Sequence, residues 1–196
     1  MRKQPTMTLD EIITKRFSVR DFDQRPVPPE HIAAMCEAAR WAPSACNSQT
    51  WRFIAVSDPE RIARICKEAM GPLIGNKWLR HAPLLIVGCS KLDIVANRIG
   101  TGVTGIEYYP IDFGIAMEHI VLKATELGLG TCWVGWLREE KLKEILDIPK
   151  RVRAMALLAV GYPKNPTPPK RSRKPLDKIL FAETWDNPFP PHDNRV

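Results

Sequence analysis

The chain has 196 residues, room for one ordinary domain, and its 44% hydrophobic and 26% charged residues exclude a disordered or disulfide-stapled chain. Its 29 Lys and Arg against 22 Asp and Glu give a formal charge of +7, yet along the predicted helices bases interleave with acids, as in Glu139-Glu140-Lys141-Leu142-Lys143-Glu144, the pattern of a solvated face. No apolar run approaches the ~20 residues that span a bilayer, and the opening Met1-Arg2-Lys3-Gln4-Pro5 lacks a secretory core, so a cytoplasmic protein without a membrane partner is expected.

Thr8 and Glu11 stand at capping-box spacing and predict a helix running toward Lys15, which residues 18–22 then leave. Pro28-Pro29-Glu30 opens a second helix, stopped at Ala42-Pro43, and a polar loop covers residues 44–50. Trp51-Arg52-Phe53-Ile54-Ala55-Val56 alternates like a strand, helix resumes over 60–70, and the apolar run 83–89 suits a buried strand. Residues 91–109 give no readable pattern. From Ile111 to Leu127 apolar residues occupy most of a helical circumference, leaving a narrow polar stripe of Asp112, His119, Lys123 and Glu126, so that helix must be buried on several sides. Gly128 and Gly130 end it, followed by a strand at 131–134, a short helix at 138–146 and a last strong strand at 154–160. Beyond Pro163 the chain turns proline-rich and basic. One short helix is expected within 175–185, in an extended tail from about residue 177, where Asn187-Pro188-Phe189-Pro190-Pro191 cannot form a compact element and Phe181, Trp185 and Phe189 need a surface to lie on. Strands separated by helices without obvious hairpins give one α/β or α+β domain over residues 1–196, with a central sheet.

Cys36, Cys46, Cys66, Cys89 and Cys132 form no C-x-x-C pair and no catalytic signature, and are read as reduced, mostly buried thiols. His31, His81, His119 and His192 lack metal-ligand spacing and are read as structural or exposed, so no metal site is expected. Gly100-Thr101-Gly102-Val103-Thr104-Gly105 fits the dinucleotide-binding string, but no strand leads directly into it and Glu107-Tyr108-Tyr109-Pro110 follows, so a glycine-rich loop is the simpler reading. More informative is Lys15-Arg16-Phe17-Ser18-Val19-Arg20, where Arg16, Ser18 and Arg20 alternate and point the same way if extended. Such a face suits a phosphate or the electron-rich edge of a heterocycle, and equally a solvated strand edge. In the loop Ala42-Pro43-Ser44-Ala45-Cys46-Asn47-Ser48-Gln49-Thr50-Trp51, Asn47 offers a donor and an acceptor to the amide-like edge of a ring.

Together these segments resemble the nitroreductase family of FMN-dependent flavoproteins, in the same order over nearly the whole chain. Residues 15–22 resemble the family's Arg-Arg-Ser-Val-Arg-x-Phe opening, and residues 42–51 its Ala-Pro-Ser-x-x-Asn-x-Gln-Pro-Trp loop, departing at Thr50 where proline is usual. Leu127-Gly128-Leu129-Gly130, Gly161-Tyr162-Pro163 and the basic Arg171-Ser172-Arg173-Lys174-Pro175-Leu176 follow in register. The resemblance implies an α+β nitroreductase-like fold, a central mixed sheet surrounded by helices, in an intertwined homodimer with FMN in the interface. It implies that Arg16, Ser18, Arg171 and Arg173 clamp the FMN phosphate and that Arg20 lies near the N1–C2 carbonyl region. Pro43, Ser44, Asn47 and Gln49 would form the loop around the ring, with Asn47 on its pyrimidine edge, and backbone amides near Gly135 would reach toward N5. Trp133 and Trp136, which flank Gly135, are read as core. The implied reaction is hydride transfer from NADH or NADPH through the flavin N5, with no catalytic side chain, to a nitroaromatic, quinone or similar small acceptor in ping-pong order. Dehydrogenation, reductive dehalogenation or flavin cleavage are alternatives within the superfamily. A nucleic-acid-binding domain would explain the charge clusters at 15–20 and 170–174 but neither the Asn47 loop nor the burial, so no nucleic-acid partner is expected.

Overall fold

A computed structural model describes residues 7–70, 76–92 and 105–190. The glycine-rich string at 100–105, except Gly105, lies outside the described residues, as do most of 91–109 and His192. The chain divides into two compact units, Met1–Pro166 and Thr167–Val196.

In the first unit, helix α1 (Leu9–Lys15) begins with the expected capping box. The Glu11 N–H donates to Thr8 Oγ1 at 3.3 Å and the Thr8 N–H to Glu11 Oε2 at 2.8 Å, so two otherwise orphaned donors are satisfied reciprocally. Helix α2 (Pro29–Arg40) carries proline in its first turn, where a missing N–H costs nothing. Strand β1 (Trp51–Val56) is followed by helix α3 (Pro59–Arg64), which passes into a π-helical turn at Ile65–Ala69, where one helix over 60–70 was expected. Then come β2 (Leu84–Lys91), α4 (Tyr109–Glu126), β3 (Gly130–Val134), α5 (Glu139–Leu146) and β4 (Val152–Gly161).

The four strands form one sheet in the order β1-β2-β4-β3, every pairing antiparallel. The parallel component of the expected mixed sheet is a bridge between Ser18 and Thr131, where the Val19 N–H donates to the Thr131 carbonyl at 2.9 Å. That bridge lays the segment after α1 along the outer edge of β3. Both faces of the sheet are covered. Ile62, Ile65, Leu79, Leu142 and Ile145 pack on one face, and Met35, Ala39, Phe113, Met117 and Ile120 on the other. A strand buried on both sides has no polar face to present, which is why β2 reads as a continuous apolar run.

Helix α4 crosses the sheet so closely that a Cβ on Gly88 would lie 2.5 Å from the Phe113 ring. From Asp112 to Leu127 none of its residues is exposed, as its apolar circumference predicted. The polar stripe is spent inside the protein. Asp112 accepts from the Ala45 N–H, His119 Nδ1 lies 3.0 Å from the Ala38 carbonyl, and Lys123 pairs with Glu126. Gly128, at φ +74, ends the helix in the left-handed conformation that glycine adopts without strain.

Glu139 ties α5 to β4. It accepts from Arg153 Nε and the Ala154 N–H, both at 3.0 Å, with Lys143 Nζ also at 3.0 Å. Burial alone would raise this carboxyl, but the bonds from Arg153, Lys143 and Ala154 hold it below the ordinary glutamate range.

In the second unit a 3-10 turn at Leu176–Lys178 takes the place of the short helix. Within the expected tail, residues 181–188 close on themselves locally. Phe181 bridges Pro188, the Ala182 N–H donates to the Asn187 carbonyl at 2.9 Å, and the Phe181 and Trp185 rings lie 5.3 Å apart. Glu183 and Asp186 adopt positive φ to close this loop, a turn signal absent from a search for glycine and asparagine.

Candidate functional site

Residues 16–20 owe their geometry to β3. Val19 and Phe22 are buried, Ser18 and Arg20 face outward and Arg16 is half-buried, so the expected alternation is present. The approach to the strand is close. A Cβ on Gly130 would fall 2.4 Å from Val19 Cγ2, so only glycine admits the segment at this height.

Beside it lies a 160 Å³ cavity lined by Arg20, Trp78 and residues 132–136. The Arg20 guanidinium stands 5.9 Å from the centre of the Trp78 ring, within range of a cation–π attraction. Trp133 and Trp136 are 39% and 65% exposed, which corrects their reading as core. Trp133 packs edge-on against Phe113 at 6.4 Å, where Gly88 leaves room for that ring, and thereby keeps one face out of the interior. At Gly135 a Cβ would meet nothing within 4 Å, so its backbone faces open space that a flat ligand could approach.

Two further groups set the electrostatics. Burial pushes the Glu118 carboxyl of α4 upward, while Arg16, the Trp133 indole N–H and His119 pull it back. Burial also raises the Cys132 thiol, against the charge of Arg20, a hydrogen bond to Ser18 and the charge of Arg16. Burial likewise pushes the Cys89 thiol up to about 11, so both sheet cysteines sit where the thiolate is disfavoured. Cys89 and Cys132 are buried and Cys36 and Cys66 half-buried, but Cys46 is exposed, an exception to the buried-thiol expectation. Among the described residues no group of three or more His, Cys, Asp or Glu could hold a metal ion.

The loop before β1 is built differently. It contains a 3-10 turn at Ala45–Asn47, and Cys46, Asn47 and Gln49 have φ of +51, +52 and +43. Left-handed conformation costs a non-glycine residue roughly 1–2 kcal/mol, so the turn needs outside support. Asp112 supplies it, accepting from the Ala45 N–H with both oxygens at 3.1 Å. Ser44 Oγ accepts from the Gln49 N–H at 3.0 Å, and Gln49 Nε2 donates to Asn47 Oδ1 at 2.9 Å. Ser48 Oγ is buried with no hydrogen-bond partner, a further cost carried by this turn. Pro43 sits exposed at its start.

The sequence-predicted residues thus fall into separate groups. Arg16, Ser18, Arg20 and Gly135 gather at the β3 edge, while Pro43, Ser44, Asn47 and Gln49 precede β1 at the opposite edge. Arg171 and Arg173 belong to the second unit, where Arg173 Nη1 donates to the Ser172 carbonyl at 2.8 Å. Sequence reasoning missed Trp78, which sits in the 3-10 turn Asn76–His81, and the functional setting of Asp112 and Glu118. Asp112 did stand out as a polar group on an otherwise apolar helix, which is the signal that could have found it. Cationic donors beside an aromatic cavity suit an anionic ligand with a planar ring.

A model of the nitroreductase family matches residues 13–162 of this chain. The FMN reductase (NAD(P)H) of Bacillus subtilis (strain 168) is 29% identical over 187 residues, which cover 89% of this chain and 73% of that protein. Iodotyrosine deiodinase 1 of Homo sapiens is 30% identical over 197 residues, covering 88% of this chain and 67% of its own. Among solved structures, a nitroreductase family protein of Clostridium difficile 630 superposes with a TM-score of 0.79 at 31% identity, covering 91% of this chain and all of the other. Spanning both the segment on β3 and the turn before β1, these similarities make the chain a member of the nitroreductase family.

Proposed function

We propose that this chain is an FMN-dependent NAD(P)H oxidoreductase that works as a homodimer and passes reducing equivalents to a small acceptor, a nitroaromatic or quinone, in ping-pong order. The observation that carries this reading is the row of Arg16, Ser18 and Arg20 beside an aromatic cavity that opens at Gly135. The donor set fits FMN. Guanidiniums and a hydroxyl match a phosphate, an arginine stabilises the negative charge a reduced ring carries near N1 and C2, and an unobstructed backbone lets a flat ring come close. When bound, FMN supplies hydride chemistry at its N5.

This chain's own residues bind, orient and exclude water. Arg16 and Ser18 would hold the phosphate and Arg20 the N1–C2 region; for Arg171 and Arg173 the family resemblance alone favours a phosphate role. The open backbone at Gly135 would border the N5 side of the ring, and Trp133 and Trp136 would bound the space for nicotinamide and acceptor. Asn47, held in the turn with Pro43, Ser44 and Gln49, would read the pyrimidine edge. In one copy that turn and the Arg16 row lie across the whole sheet, four strand steps of about 4.8 Å or roughly 19 Å. A second copy that brings its turn to the first copy's β3 edge completes the site. Exposed apolar residues, among them Leu9 and Ile13 one turn apart on α1, Trp41 after α2 and Ile111 on α4, favour an interface. The similarity to FMN reductase favours NAD(P)H as donor. The similarity to iodotyrosine deiodinase 1 favours a second reading, reductive dehalogenation at the same flavin.

A visible spectrum with a sedimentation run tests the proposal. Yellow protein with bound FMN, sedimenting as a dimer, is expected, whereas colourless protein that cannot be reconstituted with FMN contradicts it.

A further inference from the structure

The 44–49 turn is too strained to hold itself. Its internal support is the Ser44–Gln49 bond, the Gln49 side-chain bonds to Asn47 and two short-range backbone bonds, Asn47 N–H to the Ser44 carbonyl and Ser48 N–H to the Ala45 carbonyl, both 3.0 Å. Against these stand three left-handed non-glycine residues and the unpaired Ser48 hydroxyl. The tether from outside comes from far away in sequence, from Asp112 in the first turn of α4, 5% exposed. Both of its oxygens converge on the single N–H of Ala45. Burying a carboxylate is costly, and a loop that needed only to be covered would be held as well by an apolar contact. What the acid adds is a fixed height and direction for one peptide group, from which the turn hangs.

At the other end of the turn, Gln49 Nε2 donates to Asn47 Oδ1 at 2.9 Å and to the Asn47 carbonyl at 3.2 Å. One acceptor position of the Asn47 carboxamide oxygen is therefore taken within the turn, and its NH₂ is left to meet a ligand. The bond from Gln49 orients the amide so that it favours donating.

We infer that Asp112 and Gln49 are positioning residues for cofactor binding: they clamp the strained turn from both ends so that Asn47 presents its NH₂ to a carbonyl on the pyrimidine edge of the flavin. The inference rests on the FMN reading above. It specifies a ring contact, independent of the phosphate, which gives it a separate readout.

The test is titration of the apoprotein with FMN and with riboflavin by fluorescence quenching, for wild type, Asp112→Ala, Asp112→Asn and Gln49→Ala, together with the absorption maximum of each bound flavin. Asparagine at 112 keeps an acceptor for the Ala45 N–H and should rescue. Asp112→Ala and Gln49→Ala should each weaken both flavins alike, by about tenfold, and shift the long-wavelength band, while Asp112→Asn stays within about twofold of wild type. Gln49 is exposed, so its variant carries the test even if Asp112→Ala fails to fold. Wild-type affinity and spectrum in Gln49→Ala, losses confined to FMN, or an Asp112→Asn as impaired as Asp112→Ala would each overturn the inference. Wild-type protein that binds neither flavin would instead overturn the FMN reading itself, and this inference with it.

Discussion

The segment at 16–20 and the turn at 44–49, both proposed to meet the cofactor, reach their geometry by opposite means. The first lies relaxed along β3, pinned by Val19 and Phe22, and its outward groups point one way because an extended chain alternates. The second has left-handed backbone at Cys46, Asn47 and Gln49 and depends on a buried acid from another helix. Regular structure aims side chains without strain, whereas an irregular turn can aim a single amide more finely but must be held there.

The largest effect should follow from unseating the relaxed segment. Gly130→Val places methyl groups where Val19 already stands, and should cost about 3 kcal/mol in urea unfolding and abolish FMN retention. An unchanged midpoint would mean that the segment is not held by this contact. Next, Arg173→Ala should weaken FMN binding ten- to a hundredfold, the loss of about 1.5–3 kcal/mol for a bond to a charged group, and leave riboflavin nearly untouched. Equal losses for both flavins would move Arg173 from the phosphate to the ring. On the strained side the sign reverses: Cys46→Gly should raise stability by about 1 kcal/mol because glycine adopts positive φ without steric cost. A destabilised variant would show that the turn carries no strain.

The smallest effect concerns Glu118, which shares the neighbourhood of Arg16. Glu118→Gln keeps an acceptor for Trp133 but removes the competing negative charge, and should tighten FMN about threefold. Its pH signature has a definite sign. Burial raises the folded pKa of Glu118 above the unfolded value, so its contribution is full below the ordinary glutamate range and is lost as pH rises through the folded value. Glu139 is lowered, so its contribution is present above the ordinary range and lost as pH falls through the folded value. A stability–pH curve in which Glu118→Gln removes the loss on the rising side and leaves the acid limb intact separates the two carboxylates.

The same contrast explains what could be read from sequence. The capping box of α1, the alternation of Arg16, Ser18 and Arg20 and the all-round apolar α4 are local patterns, and local patterns survive translation into structure. Trp133 and Trp136 misled because two tryptophans by a strand normally pack inward, and nothing local shows that Phe113 stands edge-on against Trp133. The chain around Phe181 and Pro188 looked unable to fold on itself because its turn uses positive φ at Glu183 and Asp186 instead of glycine. The bond from Ala45 to Asp112 spans 67 residues, beyond the reach of any periodicity. The family resemblance supplied what spacing could not, a reason to group Arg16 with Arg171 and Arg173.

Anaerobic reduction of the FMN-loaded protein tests the central claim most directly. NADH or NADPH added without any acceptor should bleach the flavin band, and a quinone or nitroaromatic added afterwards should restore it. A flavin band that neither nucleotide diminishes, or that falls only when nucleotide and acceptor are present together, would contradict an NAD(P)H oxidoreductase working in ping-pong order.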